Sequence, residues 1–111
     1  DIGGGTSNLA LCKDGNIEAV GCLNVGGRLL KFDAQHRVTY ISPVLQGRLP
    51  LSVGDSITRD VAWKIAQTLA AILEMAAGRR EKTPDFSNYL TPGAGEIAPQ
   101  PEAMPSFSGG V

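Results

Sequence analysis

With 111 residues, 42% hydrophobic and 19% charged side chains and a net charge of −1, the chain has the make-up of one small globular domain with a modest core. Acidic and basic residues are interspersed, so no basic stripe marks a nucleic-acid partner, and no apolar run is long enough to cross a membrane as a helix. Asp1 falls inside a strand-to-turn transition with no initiator methionine or signal-peptide pattern, and Val111 follows a Gly-Gly pair, so both ends read as cut from a larger protein.

Thr6 to Lys13 and Asn16 to Leu23 read as the arms of an antiparallel hairpin. Asp14-Gly15 supplies the positive φ angles of a type I′ turn between them. With regular pairing from that loop, Cys12 falls opposite Ile17 and Cys22 opposite Ser7. The two thiols then point to opposite faces, and a disulfide would need a bulge to shift the pairing. Free thiols suit a reducing, cytoplasmic setting. Leu9 and Leu11 share one face, Ala10 and Cys12 the other; neither is strongly polar, which predicts strands covered on both sides.

Asn24-Val25-Gly26-Gly27 breaks the pattern. Arg28 to Phe32 and Arg37 to Ser42 then form a second hairpin around Asp33 to His36, the run Val38-Thr39-Tyr40-Ile41 being rich in strand formers. Pro43 and Pro50 mark loops. A long helix is predicted within residues 56–78, because Val61, Ile65, Leu69, Ile72, Leu73 and Ala76 recur at helical spacing. Ala62, Ala66, Ala70 and Ala71 widen that stripe and would let the helix lie close against a sheet. Ser56 or Thr58 can cap its start, Asp60 favours the positive end of its dipole, and Gly78 stops it. Five of the seven prolines lie in the last 28 residues, so 79–103 reads as a connector before a return segment at 104–111. Pro105 argues against a fully paired central strand there.

The residues that bear on chemistry are Asp1-Ile2-Gly3-Gly4-Gly5-Thr6-Ser7-Asn8. An acid, three glycines and a hydroxyl residue opening the next strand can hold a phosphate on backbone N–H groups, since glycine leaves no Cβ in the way. Thr6 adds a donor, and Asp1 stands where a carboxylate can hold hydrated Mg²⁺ beside phosphates. A flexible glycine loop with an incidental acid fits the same letters. Asn24 and Arg28 flank the second glycine pair and either contact nucleotide or fix a turn. His36, the only histidine, falls in a polar turn, and Trp63 falls on the helix as a packing residue or a contact to a missing lobe.

The string Asp-Ile-Gly-Gly-Gly-Thr followed by a hairpin resembles the second phosphate loop of the actin-like ATPase superfamily, which includes Hsp70 chaperones, bacterial actins and sugar kinases. Ser108-Gly109-Gly110-Val111 is similar to the adenosine-side loop of that superfamily. Between them, Cys22-Leu-Asn-Val-Gly-Gly-Arg-Leu-Leu30 and Asp33-Ala-Gln35 through Val38 resemble the ethanolamine ammonia-lyase reactivating factors. The resemblance covers most of residues 1–42, is faint across the helix, and resumes at Ser108.

It implies an α/β chain forming part of a ribonuclease-H-like half-domain, with a hairpin-led sheet, a helix against it and a parallel strand. It further implies ATP and Mg²⁺ as cofactors, with Gly3, Gly4, Gly5 and Thr6 on the phosphates, Asp1 on the metal through water, and Ser108, Gly109 and Gly110 beside the adenosine. The implied activity is chaperone-like: ATP-driven release of damaged cobalamin from ethanolamine ammonia-lyase, the expected partner, in a bacterial cytoplasm or microcompartment. This length of chain alone is expected to bind ATP weakly and not to turn it over. An Hsp70-like chaperone, a bacterial filament protein or a sugar or small-acid kinase would carry the same loops.

Overall fold

A computed structural model describes residues 1–98 and 102–109. Four strands come first: β1 (Ser7–Lys13), β2 (Asn16–Leu23), β3 (Leu30–Phe32) and β4 (Val38–Ile41). The helix α1 (Arg59–Ala76) follows, then a 3₁₀ helix at Pro84–Tyr89. Two antiparallel hairpins and one long helix make this a small α/β fold. No helix among the described residues is long and apolar enough to cross a membrane.

The first hairpin turns where Asp-Gly allows it. Asp14 and Gly15 have φ of 52° and 80°, the left-handed pair that a type I′ turn requires. Lys13 stands opposite Asn16 and Cys12 opposite Ile17, but the next pair is Leu11 with Ala19, so Glu18 is an extra residue. This bulge moves the remaining register by one and places Cys22 opposite Asn8, correcting the regular pairing that put it opposite Ser7. Both thiols are free. The expectation of strands covered on both sides is also corrected. Ser7, Leu9 and Leu11 turn inward, whereas Ala10 and Cys12 are exposed. Ile17 and Val20 on β2 are 68% and 58% exposed.

The second hairpin pairs Leu30 with Ile41 and Lys31 with Tyr40. Its loop is organised by Asp33, whose carboxylate Oδ1 accepts from the N–H groups of Gln35 (2.9 Å) and Arg37 (3.0 Å). His36 closes the loop at φ 62°, edge-on to Phe32. Residues 54–57 add a rung beside β4, with Gly54 N–H donating to the Val38 carbonyl and Val38 N–H to that of Asp55.

Thr58, of the two candidates, caps α1: its hydroxyl accepts from Val61 N–H at 3.2 Å. At the other end Gly78, at φ 73°, donates to the Met75 carbonyl while Arg79 donates to that of Glu74. These are the two bonds of a Schellman motif, and they satisfy carbonyls that the helix leaves open. Ile65, Ile72, Met75 and Ala76 are buried, and Val61, Leu69 and Leu73 pack partly against them. Ala66 and Ala70, which the sequence placed on the packed stripe, are exposed. The two hairpins remain separate two-stranded sheets, and α1 contacts the 3₁₀ helix and lines a cleft with the 43–51 loop.

Leu23, Val25 and Leu29 from the end of β2 and the loop after it join Val38, Leu45, Ile72, Phe86 and Tyr89 in one core. Within the proline-rich stretch, Leu90 bridges to Leu23 and Thr91 N–H donates to the Cys22 carbonyl, so 89–91 runs beside the end of β2. Residues 103–109 carry no regular structure, with Met104 and Phe107 exposed.

Candidate functional site

The glycine string forms a further, tighter hairpin whose return arm is the start of β1. Ile2 lies opposite Ser7, Gly3 N–H donates to the Thr6 carbonyl at 2.9 Å, and Asn8 N–H donates to the Asp1 carbonyl at 2.9 Å. The Asp1 α-amino group donates to the Asn8 carbonyl at 2.8 Å, completing the rung. None of Gly3, Gly4 or Gly5 has a positive φ, so glycine serves here by lacking a side chain and not by reaching left-handed backbone.

What fixes the hairpin is the segment after β2. Gly27 N–H donates to the Gly3 carbonyl (2.9 Å) and Arg28 N–H to the Gly4 carbonyl (2.8 Å). A Cβ on Gly26 would stand only 2.5 Å from the Gly4 carbonyl oxygen and 2.6 Å from that of Gly3, so no other residue fits without moving backbone. Ser7, 2% exposed, donates its hydroxyl to the Val25 carbonyl at 2.7 Å and joins the two segments from beneath. Asn24 is held in turn: its N–H donates to the Tyr89 carbonyl at 2.7 Å, and its side-chain oxygen accepts from the Thr91 hydroxyl at 3.1 Å. Asn24 and Arg28 therefore both fix this turn.

A third segment arrives from the far end of the chain. Ile2 N–H donates to the Ser108 carbonyl at 2.8 Å. Gly109, at φ +149°, is pressed so close that a Cβ would stand 2.2 Å from the Ile2 carbonyl oxygen. Ser108 and Gly109 are thus brought onto the glycine hairpin; Gly110 lies outside the described residues.

The result is a backbone cradle with a closed side and an open side. The Gly3 and Gly4 carbonyls face the 26–28 loop. The N–H groups of Gly4, Gly5 and Thr6 have no acceptor among the described residues, and open space surrounds the Cβ position of Gly5. Gly5, Thr6 and Asp1 are exposed. Asp1 brings one carboxylate, and no group of three or more potential metal ligands occurs among the described residues. One carboxylate suits Mg²⁺, which keeps most of its waters and takes others of its ligands from phosphate. His36 and Trp63 are remote in the fold, in the second hairpin's loop and on the exposed side of α1.

A cleft of about 360 Å³, lined in part by Leu45, Arg48, Leu49, Ile65, Leu69 and Tyr89, shares no residue with the cradle. Burial raises the pKa of the Tyr89 phenol, an effect opposed by Arg48, whose guanidinium lies 5.6 Å from the ring centre, and reinforced by Asp85. Sequence reasoning missed the parts of Ser7 and Gly26. A buried hydroxyl within a strand leaves no trace in the letters, but the Gly26-Gly27 pair was a legible sign of close backbone approach.

The family model described as ethanolamine utilisation protein EutA matches residues 1–111. Two curated relatives, both named ethanolamine ammonia-lyase reactivase EutA, come from Salmonella typhimurium and Escherichia coli. They are 65% and 60% identical over 40 residues, which is 36% of this chain and 9% of each relative's length. No solved structure matches. With the match extending over all its residues, the chain belongs to the ethanolamine utilisation protein EutA family.

Proposed function

We propose that this chain supplies the phosphate-binding part of an ATP-dependent reactivating factor that acts on inactivated ethanolamine ammonia-lyase and promotes exchange of its damaged cobalamin. The observation that carries the reading is the polarity of the glycine hairpin. The Gly3 and Gly4 carbonyls are engaged by the 26–28 loop, while the Gly4, Gly5 and Thr6 amides have no acceptor among the described residues. Donors held by a fixed backbone suit an anion, and glycine lets the anion approach. The name ethanolamine ammonia-lyase reactivase on the two relatives supports that lyase as the partner.

In this reading the Gly4, Gly5 and Thr6 amides orient the phosphates of ATP. Gly3, whose own N–H is engaged by the Thr6 carbonyl, takes part by lacking a side chain. Ser108, Gly109 and Gly110 would lie on the adenosine side. Asp1 would hold Mg²⁺ through water, and the metal supplies charge neutralisation at the phosphates. The cradle would belong to one lobe of an actin-like half-domain. Nucleotide would bias the lobes between two arrangements, and lyase binding follows whichever arrangement the nucleotide favours. The test is reactivation in vitro: lyase stalled with damaged cobalamin is mixed with the intact protein, ATP, Mg²⁺ and fresh adenosylcobalamin. Recovery of deaminating activity that depends on ATP supports the proposal; recovery equal to a control without ATP rejects it.

A further inference from the structure

Arg28 does more at the cradle than its backbone bond explains. Its N–H secures the Gly4 carbonyl, and its side chain then folds back over the same glycine. The guanidinium Nε, Cζ and Nη2 stand 3.1, 3.4 and 3.6 Å from where a Cβ on Gly4 would be. The residue is exposed, and the ion pairs among the described residues are Arg80 with Glu74 and Lys82 with Glu96, neither involving Arg28. A guanidinium has donors only, in a planar fork that matches two oxygens of one phosphoryl group. The Gly4, Gly5 and Thr6 amides also lack an acceptor among the described residues. The fork at Gly4 and these amides therefore gather unengaged donors at one glycine hairpin.

We propose that Arg28 is a phosphoryl-binding residue of this site, gripping phosphate oxygens held on the glycine hairpin and making affinity depend on how many phosphates the nucleotide carries. This rests on the nucleotide reading above and deepens it. The second glycine pair then has two tasks: Gly26 and Gly27 hold the cradle, and the next residue delivers the charge. An arginine here that served only to cover the loop would leave the preference among nucleotides unchanged.

The test is calorimetric titration of the intact protein, and of its Arg28→Gln and Arg28→Lys variants, with ATP–Mg, ADP–Mg and adenosine. Arg28→Gln is expected to weaken ATP by about tenfold or more, ADP by less, and adenosine by less than about twofold, as loss of a charge-assisted contact to phosphate requires. Arg28→Lys, which keeps charge but not the fork, is expected to fall between. If wild type binds ATP and both variants bind it equally well, the role of Arg28 is overturned while the nucleotide site stands. If wild type binds no ATP, the nucleotide reading fails and Arg28's role fails with it. A parallel thermal melt shows whether Arg28→Gln is folded; if it is not, Arg28→Lys decides, and wild-type ATP affinity in that variant overturns the proposal.

Discussion

Gly26→Ala tests the architecture of the cradle directly. The added carbon would stand 2.5 Å from the Gly4 carbonyl oxygen, where ordinary contact begins at 3.4 Å, so the two segments must part by about 0.9 Å. Both obstructing atoms are backbone carbonyl oxygens, and neither can swing aside as a side chain would. Parting the segments stretches the Gly27-to-Gly3 and Arg28-to-Gly4 hydrogen bonds together. Two bonds at about 0.5–1.5 kcal/mol each contribute about 1–3 kcal/mol. Residual overpacking adds about 1 kcal/mol or more, for a loss of about 2–4 kcal/mol against a typical total of about 5–15. Urea unfolding followed by circular dichroism should show a lower midpoint at unchanged slope, and the melting temperature should fall by roughly 9–17 °C. Gly5→Ala is the control: nothing lies within 4 Å of its Cβ position and its φ is not left-handed. It should leave stability within about 0.5 kcal/mol or raise it slightly. Equal stability in Gly26→Ala and wild type, or equal loss in both variants, would refute the picture of two backbones in contact.

Ser7→Ala removes the buried donor to the Val25 carbonyl and should cost about 1–3 kcal/mol in denaturant unfolding, while Ser7→Thr should retain part of the bond. Tyr89 has a phenol pKa raised by burial, so the unfolded chain ionises before the folded one. Stability should therefore hold below about pH 10 and fall above it, and the difference between wild type and Tyr89→Phe melts should isolate that drop. In the intact protein, Asp1→Ala should reduce Mg²⁺-dependent phosphate release more than it reduces ATP affinity, since the carboxylate would act through the metal; equal losses would remove it from that role. Gly5→Val should instead weaken ATP binding by crowding the open side, and Gly4→Val by displacing the Arg28 guanidinium that lies 3.1 Å from its Cβ position, which calorimetry would show.

Local chemistry was the legible part of this fold. Asp14-Gly15 dictates its turn, Thr58 and Gly78 bound the helix, and the spacing of Ile65, Leu69 and Ile72 marks its inner side. What failed depended on how segments meet. The extra residue at Glu18 sits between apolar Ile17 and Ala19 as a polar residue of a regular strand would, so pairing parity misplaced Cys22. Ala66 and Ala70 are exposed, and small side chains do not say what approaches them. At the site the glycine count was readable. Which carbonyls the 26–28 loop engages, and where the Arg28 side chain folds, arise only once two separate segments meet.

The bond from Ile2 to the Ser108 carbonyl has a consequence for the order in which the cradle is assembled. It joins positions 106 residues apart (108 − 2), whereas Gly3 and Gly27 are only 24 apart (27 − 3). Loop-closure entropy scales as 1.5RT ln n, so the longer closure costs about 1.3 kcal/mol more than the shorter. The glycine hairpin and the 26–28 loop can form as a local unit, with the far segment docking onto them afterwards. Undocking can then occur without global unfolding, as a low-lying opening confined to one edge. The Ile2 amide is its reporter: it should exchange with deuterium faster than the Gly27 amide, which remains bonded while that edge opens and closes.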